Sequence, residues 1–568
     1  MAEASERLLF EHLGENALSY VLAVDKENLR LRFEDAASHR LNEVQESLLA
    51  QMVMLDEQMS GWQEGRSTTG EWTSRLTNRP DDGREISLGN LIRLTAGGSI
   101  AAIPEGLQPV ESILLHIALE CYPGMLVKES DDPFDRRIGL PISLFRNPLN
   151  SAFQELVLAD SDLKRLMTTE SESSGKGGST LRSTGQGGSH QLWTLAETIV
   201  KSGWTLALLD STQPTPESFI DGVLRSIATI RLAIRGKEAN IPARIGLTGV
   251  LLPENTNEIE LGWAKVRRAD ERDTHFIKQT SLEGQLTTTT QQGETVVINY
   301  SGDLVVELNI PYAIQIGELD IQTPWPEEMK TGYQAIENAV ENLRLGLLLA
   351  FPDQRVVLHT SWQVMIDPMS QHHGAGWADL QRAVGLMPTQ LSATRVDTWK
   401  NWSSKIAKHR TPPIGVAIRR MLAAVAERRT SEDVLVDAVI VWENLFGART
   451  ETTLRVTSSL AWLLGDSADD RKQRQKDYKK LYSLRSDVVH GAAVVNQQNL
   501  QTGSMEAVDI SINALRAVFG ERPSLLEIKS SEDRSLEMLH SGPQPKVPAS
   551  TTDGVELDAV TTADKSDD

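Results

Sequence analysis

Apolar positions along the 568-residue chain recur with two different periods, and the changes of period divide it. Residues 41–59 and 111–122 carry helical spacing, the second with Ile113, Leu114, Ile117 and Ala118 on one side. Between them, 67–83 is rich in Ser, Thr, Asp and Gly and reads as a loop. Helical spacing returns at 192–201 and 216–235, where Ile220, Val223, Leu224, Ile227 and Ile230 share a face. From residue 241 the period becomes two. Ile259, Leu261 and Trp263 alternate with Glu260 and Gly262, and Leu304, Val306, Leu308 and Ile310 alternate with Asp303, Val305, Glu307 and Asn309. Turn-forming residues lie between, so 241–321 is predicted to form an antiparallel sheet.

Pro326 occupies the first position of the next helix, where its missing N–H costs nothing. Ile336, Ala339, Val340, Leu343 and Leu347 form its stripe, Phe351-Pro352 ends it, and 355–366 is a strand candidate. After Pro412-Pro413 the pattern is helical almost without break to Phe519. Thr430 followed by Asp433 resembles a capping box, and the helix behind it carries Leu435, Ala438, Val439, Trp442, Leu445 and Phe446. These runs predict a helical bundle of about 110 residues, enough for its own core.

The expected organisation is multidomain α+β. A mixed α/β region (1–168), a linker (169–190) and an α/β domain with an antiparallel sheet (191–392) precede an all-α bundle (393–525) and a disordered acidic tail (541–568). The linker is Gly- and Ser-rich. Its Gly175-Lys176 is no phosphate loop, because Gly177 follows the lysine and Glu170 stands where the first glycine belongs.

Composition adds exclusions. Hydrophobic residues make up 40% and charged residues 24%, and no apolar run reaches the roughly 18 residues of a bilayer span. The first residues lack a basic and then apolar leader, and the single Cys121 excludes an intrachain disulfide, so a reducing cytoplasm is expected. A net charge of -21 argues against a generally basic nucleic-acid coat. Basic residues nevertheless concentrate at Arg395, Lys400, Lys405, Lys408, Arg410, Arg419, Arg420, Arg428 and Arg429, and again at Arg471, Lys472, Arg474, Lys476, Lys479 and Lys480.

Next to the second run lies the stretch that suggests chemistry, Leu481-Tyr482-Ser483-Leu484-Arg485-Ser486-Asp487-Val488-Val489-His490-Gly491. A histidine can exchange a proton with a ribose hydroxyl or a leaving oxygen, and an arginine fork can neutralise phosphoryl charge. The spacing by itself is weak, since Arg7 and His12 repeat it. On one helix, five steps of about 100° set Arg485 and His490 roughly 140° apart, so help is needed to bring both to one substrate: the helix end is expected to free His490 from that wheel, and a twofold partner could supply the rest. Gly491 is placed to end the helix at His490. Glu443, an acid within the apolar Val441–Phe446 run, is the expected partner of Arg485. His372-His373 lacks companions at ligand spacing for a metal. Of the tryptophans Trp325, Trp362, Trp377, Trp399 and Trp402, the last two, beside Lys400 and Lys405, are candidates for nucleic-acid contact.

The Leu-Tyr-x-x-Arg-Ser-x-x-x-His-Gly arrangement, with the acid-bearing helix from Asp433 to Phe446, resembles the Apea-like HEPN domain over about a fifth of the chain. The resemblance implies a four- to five-helix bundle acting as a dimeric endoribonuclease that needs no metal or other cofactor, often in defence against phage or as a toxin. It implies catalytic Arg485 and His490, supported by Glu443 and by Ser486, where Asn, Asp or His is commoner. Lys476, Lys479, Lys480 and Tyr482 are the accompanying RNA-binding candidates. Some domains of this kind are instead non-catalytic dimerisation or nucleotide-binding modules. In either case the N-terminal region is expected to sense a trigger, inhibitor or partner, with no part for a membrane.

Overall fold

A computed structural model describes residues 2–34, 41–60, 68–80, 85–128, 144, 147–168, 180–182, 189–279, 285–289, 295–299, 303–314, 327–354, 356, 358–370, 376–377, 389–491 and 496–541. The expected acidic tail beyond 541, Trp325, Pro326, His372-His373 and Gly175-Lys176 lie outside the described residues. The structure is mostly helical, with a small antiparallel sheet and a helical C-terminal region. Two compact units are present, Met1–Val340 with Leu358–Val396, and Glu341–Val357 with Asp397–Asp568. The 1–168 segment and most of 191–392 therefore share one unit, while 341–357 falls with the C-terminal helices.

In the first unit, Pro109–Met125 is the central helix, buried almost without break from Leu114 to Met125. Thr68–Thr77, Pro148–Ala159, Leu195–Asp210 and Pro216–Ile234 pack around it. Thr68–Thr77 corrects the expected loop at 67–83. Its Ser, Thr and Gly content disfavours a helix in isolation, but burying Trp72 and Leu76 outweighs this, because a large apolar side chain taken out of water contributes about 2–3 kcal/mol. Leu195–Asp210 and Pro216–Ile234 cross at Gly203 and Gly222, where backbone meets backbone: a Cβ on Gly222 would collide with the Gly203 carbonyl.

The sheet has six strands in the order Gly376–Trp377, His359–Met365, Ala239–Thr248, Leu304–Tyr312, Lys265–Arg268, Glu258–Glu260, all neighbours antiparallel. Leu304, Val306, Leu308 and Ile310 are buried, as their alternation predicts. The opposite face is covered too. Val305 packs with Leu206, Leu209, Phe276 and Trp362. Beside them Arg267 bonds Asp273 at 2.7 Å and Glu307 at 2.6 Å, so the charges on this face are paired rather than solvated. Near the sheet, Tyr312 donates a 2.8 Å hydrogen bond to the fully buried Asp367. Burial lifts the Asp367 carboxyl to about 6. The 285–289 and 295–299 strands form a separate hairpin, and Thr180–Arg182 pairs with Met167–Thr168 and Ser189–Gln191 inside the stretch expected to be a linker.

The second unit is a helical bundle around Ser431–Phe446. Thr430 caps this helix by accepting from the Asp433 amide, but the Asp433 carboxylate takes the Thr430 hydroxyl rather than its backbone, so half of the capping box forms. Trp442 is fully buried and donates to Ser511 Oγ at 2.8 Å, which satisfies its indole N–H. Gly415–Ala426, Thr452–Leu464, Ala468–His490, Gln497–Gly520 and Ser531–His540 surround it. The last of these is not legible as part of the bundle in the sequence. Its buried Arg534 donates to the carbonyls of Leu445 (2.9 Å) and Asn444 (2.5 Å), closing the C-terminal end of the central helix with a cation. Among the described residues no helix is long and apolar enough to cross a membrane.

Candidate functional site

Ala468–His490 carries the candidate residues. Ser467 caps it by accepting from the Asp470 amide at 3.2 Å, and Asp469 and Asp470 sit in the first turn, where negative charge is favoured. Only Tyr478 and Leu481 are buried, so the helix lies on the bundle along a narrow stripe. Arg485 is four residues beyond Leu481, on that inward stripe.

Its partner is the one expected. Arg485 Nη2 lies 3.6 Å from Glu443 Oε2, an ion-pair distance between two partly covered side chains. Oε1 of the same carboxylate accepts a 2.6 Å hydrogen bond from the Tyr482 hydroxyl. Burial, and then that bond to Glu443, raise the Tyr482 phenol above its usual value. Glu443 therefore ties two residues of one helix to another. Nε of Arg485 is buried with no acceptor among the described residues.

His490 is the last residue of the helix and is exposed. Gly491 follows in the left-handed conformation (φ 64°, ψ 23°), and its amide bonds the Asp487 carbonyl, as a helix-ending glycine does. Because His490 still belongs to the helix, it stays roughly 140° from Arg485 around the axis. One protomer does not bring the two together. Ser486 is half-buried and makes no side-chain hydrogen bond among the described residues.

Helix geometry places His490 on the same face as Lys476 and Lys479. Both lysines are exposed, and neither forms an ion pair among the described residues. Lys480 is taken up by Asp477 at 2.8 Å, and Arg474 by Asp470 at 2.9 Å. The 395–429 run is also partly spent internally: Arg420 (2.8 Å) and Arg428 (2.5 Å) converge on the buried Asp437, and Arg410 pairs with Glu341 at 2.5 Å. This internal pairing leaves no mark in the sequence, because no local spacing links these arginines to their acids.

Trp399 and Trp402 separate. Trp399 is core, donating to the Leu343 carbonyl at 3.0 Å. Trp402 is half-buried beneath Lys405 and Arg516, whose charges lie 5.0 and 5.5 Å from its ring. The Arg7/His12 pair has a structural explanation, since His12 Nδ1 meets Asp56 at 2.9 Å while Trp72 donates to the same oxygen at 2.7 Å. Comparison with protein-family models, with curated proteins and with solved structures returns no match for this chain.

Proposed function

We propose that the C-terminal unit is an Apea-like HEPN module that cleaves RNA without a metal, at a site completed by a second copy of the chain. The observation that carries this reading is the helix end, where Gly491 halts the chain immediately after a solvent-facing His490 while Glu443 steadies Arg485 little more than one turn earlier. His490 of one protomer would exchange the proton with the attacking 2′-hydroxyl or the leaving 5′-oxygen. Arg485 of the other would supply positive charge to the phosphoryl oxygens. Lys476 and Lys479 share the face of His490 and would hold the RNA backbone, with Ser486 at the phosphate. Val489, beside His490, is a half-exposed apolar side chain of the kind a second protomer covers. The activity would belong to a cytoplasmic defence or toxin-like effector, with the N-terminal unit answering a trigger.

A second reading is favoured by the ion pair itself. Arg485 is neutralised in place by Glu443, as in a module that only dimerises or binds a nucleotide. Incubating RNA with the full chain in EDTA decides between the two. Cleavage by wild type that falls at least a hundredfold in His490→Ala and Arg485→Ala supports the nuclease. Equal cleavage by the variants, or intact RNA together with unchanged growth on induction, supports the second reading.

A further inference from the structure

The first unit contains an open cavity of about 620 Å³ lined by residues from four separate segments, among them Ser19, Tyr20, Lys26, Arg93, Ser99 and Tyr122. That is many times the roughly 30 Å³ share of one water and falls within the usual range of metabolite pockets.

Its electrostatics are unusual for a chain of net charge -21. Arg93 is held by backbone alone: Nε donates to the Ser99 carbonyl and Nη1 to the Tyr20 carbonyl, each at 2.6 Å. Its guanidinium lies over the Tyr20 ring at 4.0 Å. None of these contacts supplies a negative charge, and among the described residues no carboxylate lies within ion-pair distance of it. Lys26 is bonded to the neutral Gln213 side chain. Burial lowers its ammonium, and Glu15, which acts in the opposite direction, is itself held by Arg30 at 2.5 Å. The nearby acids are exposed: Asp25, which also lines the cavity, accepts from the amide and side chain of Asn28, and Glu217, whose charge reaches Tyr20 and Tyr122, faces solvent.

The backbone is shaped around these cations. Gly97 stands at φ 93°, and a side chain at Gly98 would run into Arg93 and Ala23. Ala23 itself is left-handed at φ 51°, a conformation that costs a non-glycine residue on the order of 1 kcal/mol and that collects at ligand sites. Tyr20 and Tyr122 meet edge to face at 4.8 Å and the Tyr122 hydroxyl is fixed to the Pro214 carbonyl, so the aromatic wall is preorganised.

We infer that this cavity binds a small organic anion whose phosphate or carboxylate group is held by Arg93 and Lys26, with its polar body against Ser19 and Ser99. Two half-buried cations in one cavity, neither of them in an ion pair among the described residues, are the kind of arrangement that a ligand anion completes. The site lies in a different unit from His490 and stands whether or not RNA is cut.

Calorimetric titration of the full chain with phosphate, pyrophosphate, glucose 6-phosphate and citrate tests it. Saturable binding of at least one of these anions is expected, weakened tenfold or more by Lys26→Met and by Arg93→Gln, and unchanged by the exposed control Lys164→Met. Preference for citrate over the phosphates identifies a carboxylate ligand, and the reverse identifies a phosphate. Arg93 also braces two carbonyls, so Lys26→Met decides the matter if Arg93→Gln does not fold. No saturable binding, or wild-type affinity in Lys26→Met, overturns the inference.

Discussion

The Tyr482 hydroxyl sits 2.6 Å from Glu443, on the carboxylate that also faces Arg485. Removing the acid strands both partners at once. Glu443→Ala is expected to lower the stability of the C-terminal unit by about 1–3 kcal/mol, and Tyr482→Phe by about 1 kcal/mol. Faster amide hydrogen exchange in 431–446 and 468–490 is the readout. Unchanged exchange in Glu443→Ala would mean that the carboxylate does not join the two helices.

Two glycines separate the effect of lost space from the effect of backbone strain. Gly222→Ala forces apart two helices that touch through their backbones, so a loss of about 3 kcal/mol or more is expected, large enough to reduce soluble expression. Gly491→Ala meets open space and costs only the left-handed conformation, about 1 kcal/mol. Thermal unfolding of both variants gives the order, and a larger loss at 491 than at 222 contradicts it.

Asp367 makes stability depend on pH in a stated direction. Its folded carboxyl titrates at about 6, against 3.8 for an ordinary aspartate, so the native state keeps a proton that the unfolded chain releases. Stability from this group is full below about pH 4 and is lost as pH rises through about 6. The total is on the order of 3 kcal/mol, by the rule that one pKa unit is about 1.4 kcal/mol. Asp367→Asn removes that slope. Between pH 4 and 8 the stability of wild type is expected to fall relative to the variant by this amount, read from denaturation midpoints. Parallel curves count against the assignment.

Glu451, ahead of Thr452–Leu464, is exposed and left-handed at φ 54°. Glycine adopts this conformation freely and is tolerated at a helix N-cap, so Glu451→Gly is expected to stabilise by about 0.5–1 kcal/mol. A lower melting temperature would show that the glutamate makes a compensating contact.

What the sequence conveys is whatever a local period or a chemical anomaly can carry. Leu304, Val306, Leu308 and Ile310 announce a strand because each alternates with a different environment, and Glu443 announces a partner because an acid inside an apolar helix needs one. Thr68–Thr77 stays hidden because Trp72 and Leu76 are held by distant helices while local composition favours a loop. The covered second sheet face is hidden for the same reason, since Val305 and Glu307 look alike in pattern until Phe276 packs with the one and Arg267, from the neighbouring strand, bonds the other. Trp399 and Trp402, equivalent by neighbourhood, are separated only by what surrounds each. The Arg93 cavity draws on segments as far apart as residues 19 and 215, and no short motif marks it.

The pairing along Ala468–His490 has a thermodynamic corollary. Counterions leave nucleic acid only where a protein cation without its own counter-charge replaces them. With Arg474 and Lys480 committed to Asp470 and Asp477, Lys476 and Lys479 remain the clearest donors on the His490 face. For single-stranded RNA these two would contribute a log–log salt slope of only about −1.4. A helix that looks strongly basic in one dimension is thus a weak polyelectrolyte ligand in three, and any tight hold on RNA would have to be assembled from more than one such face.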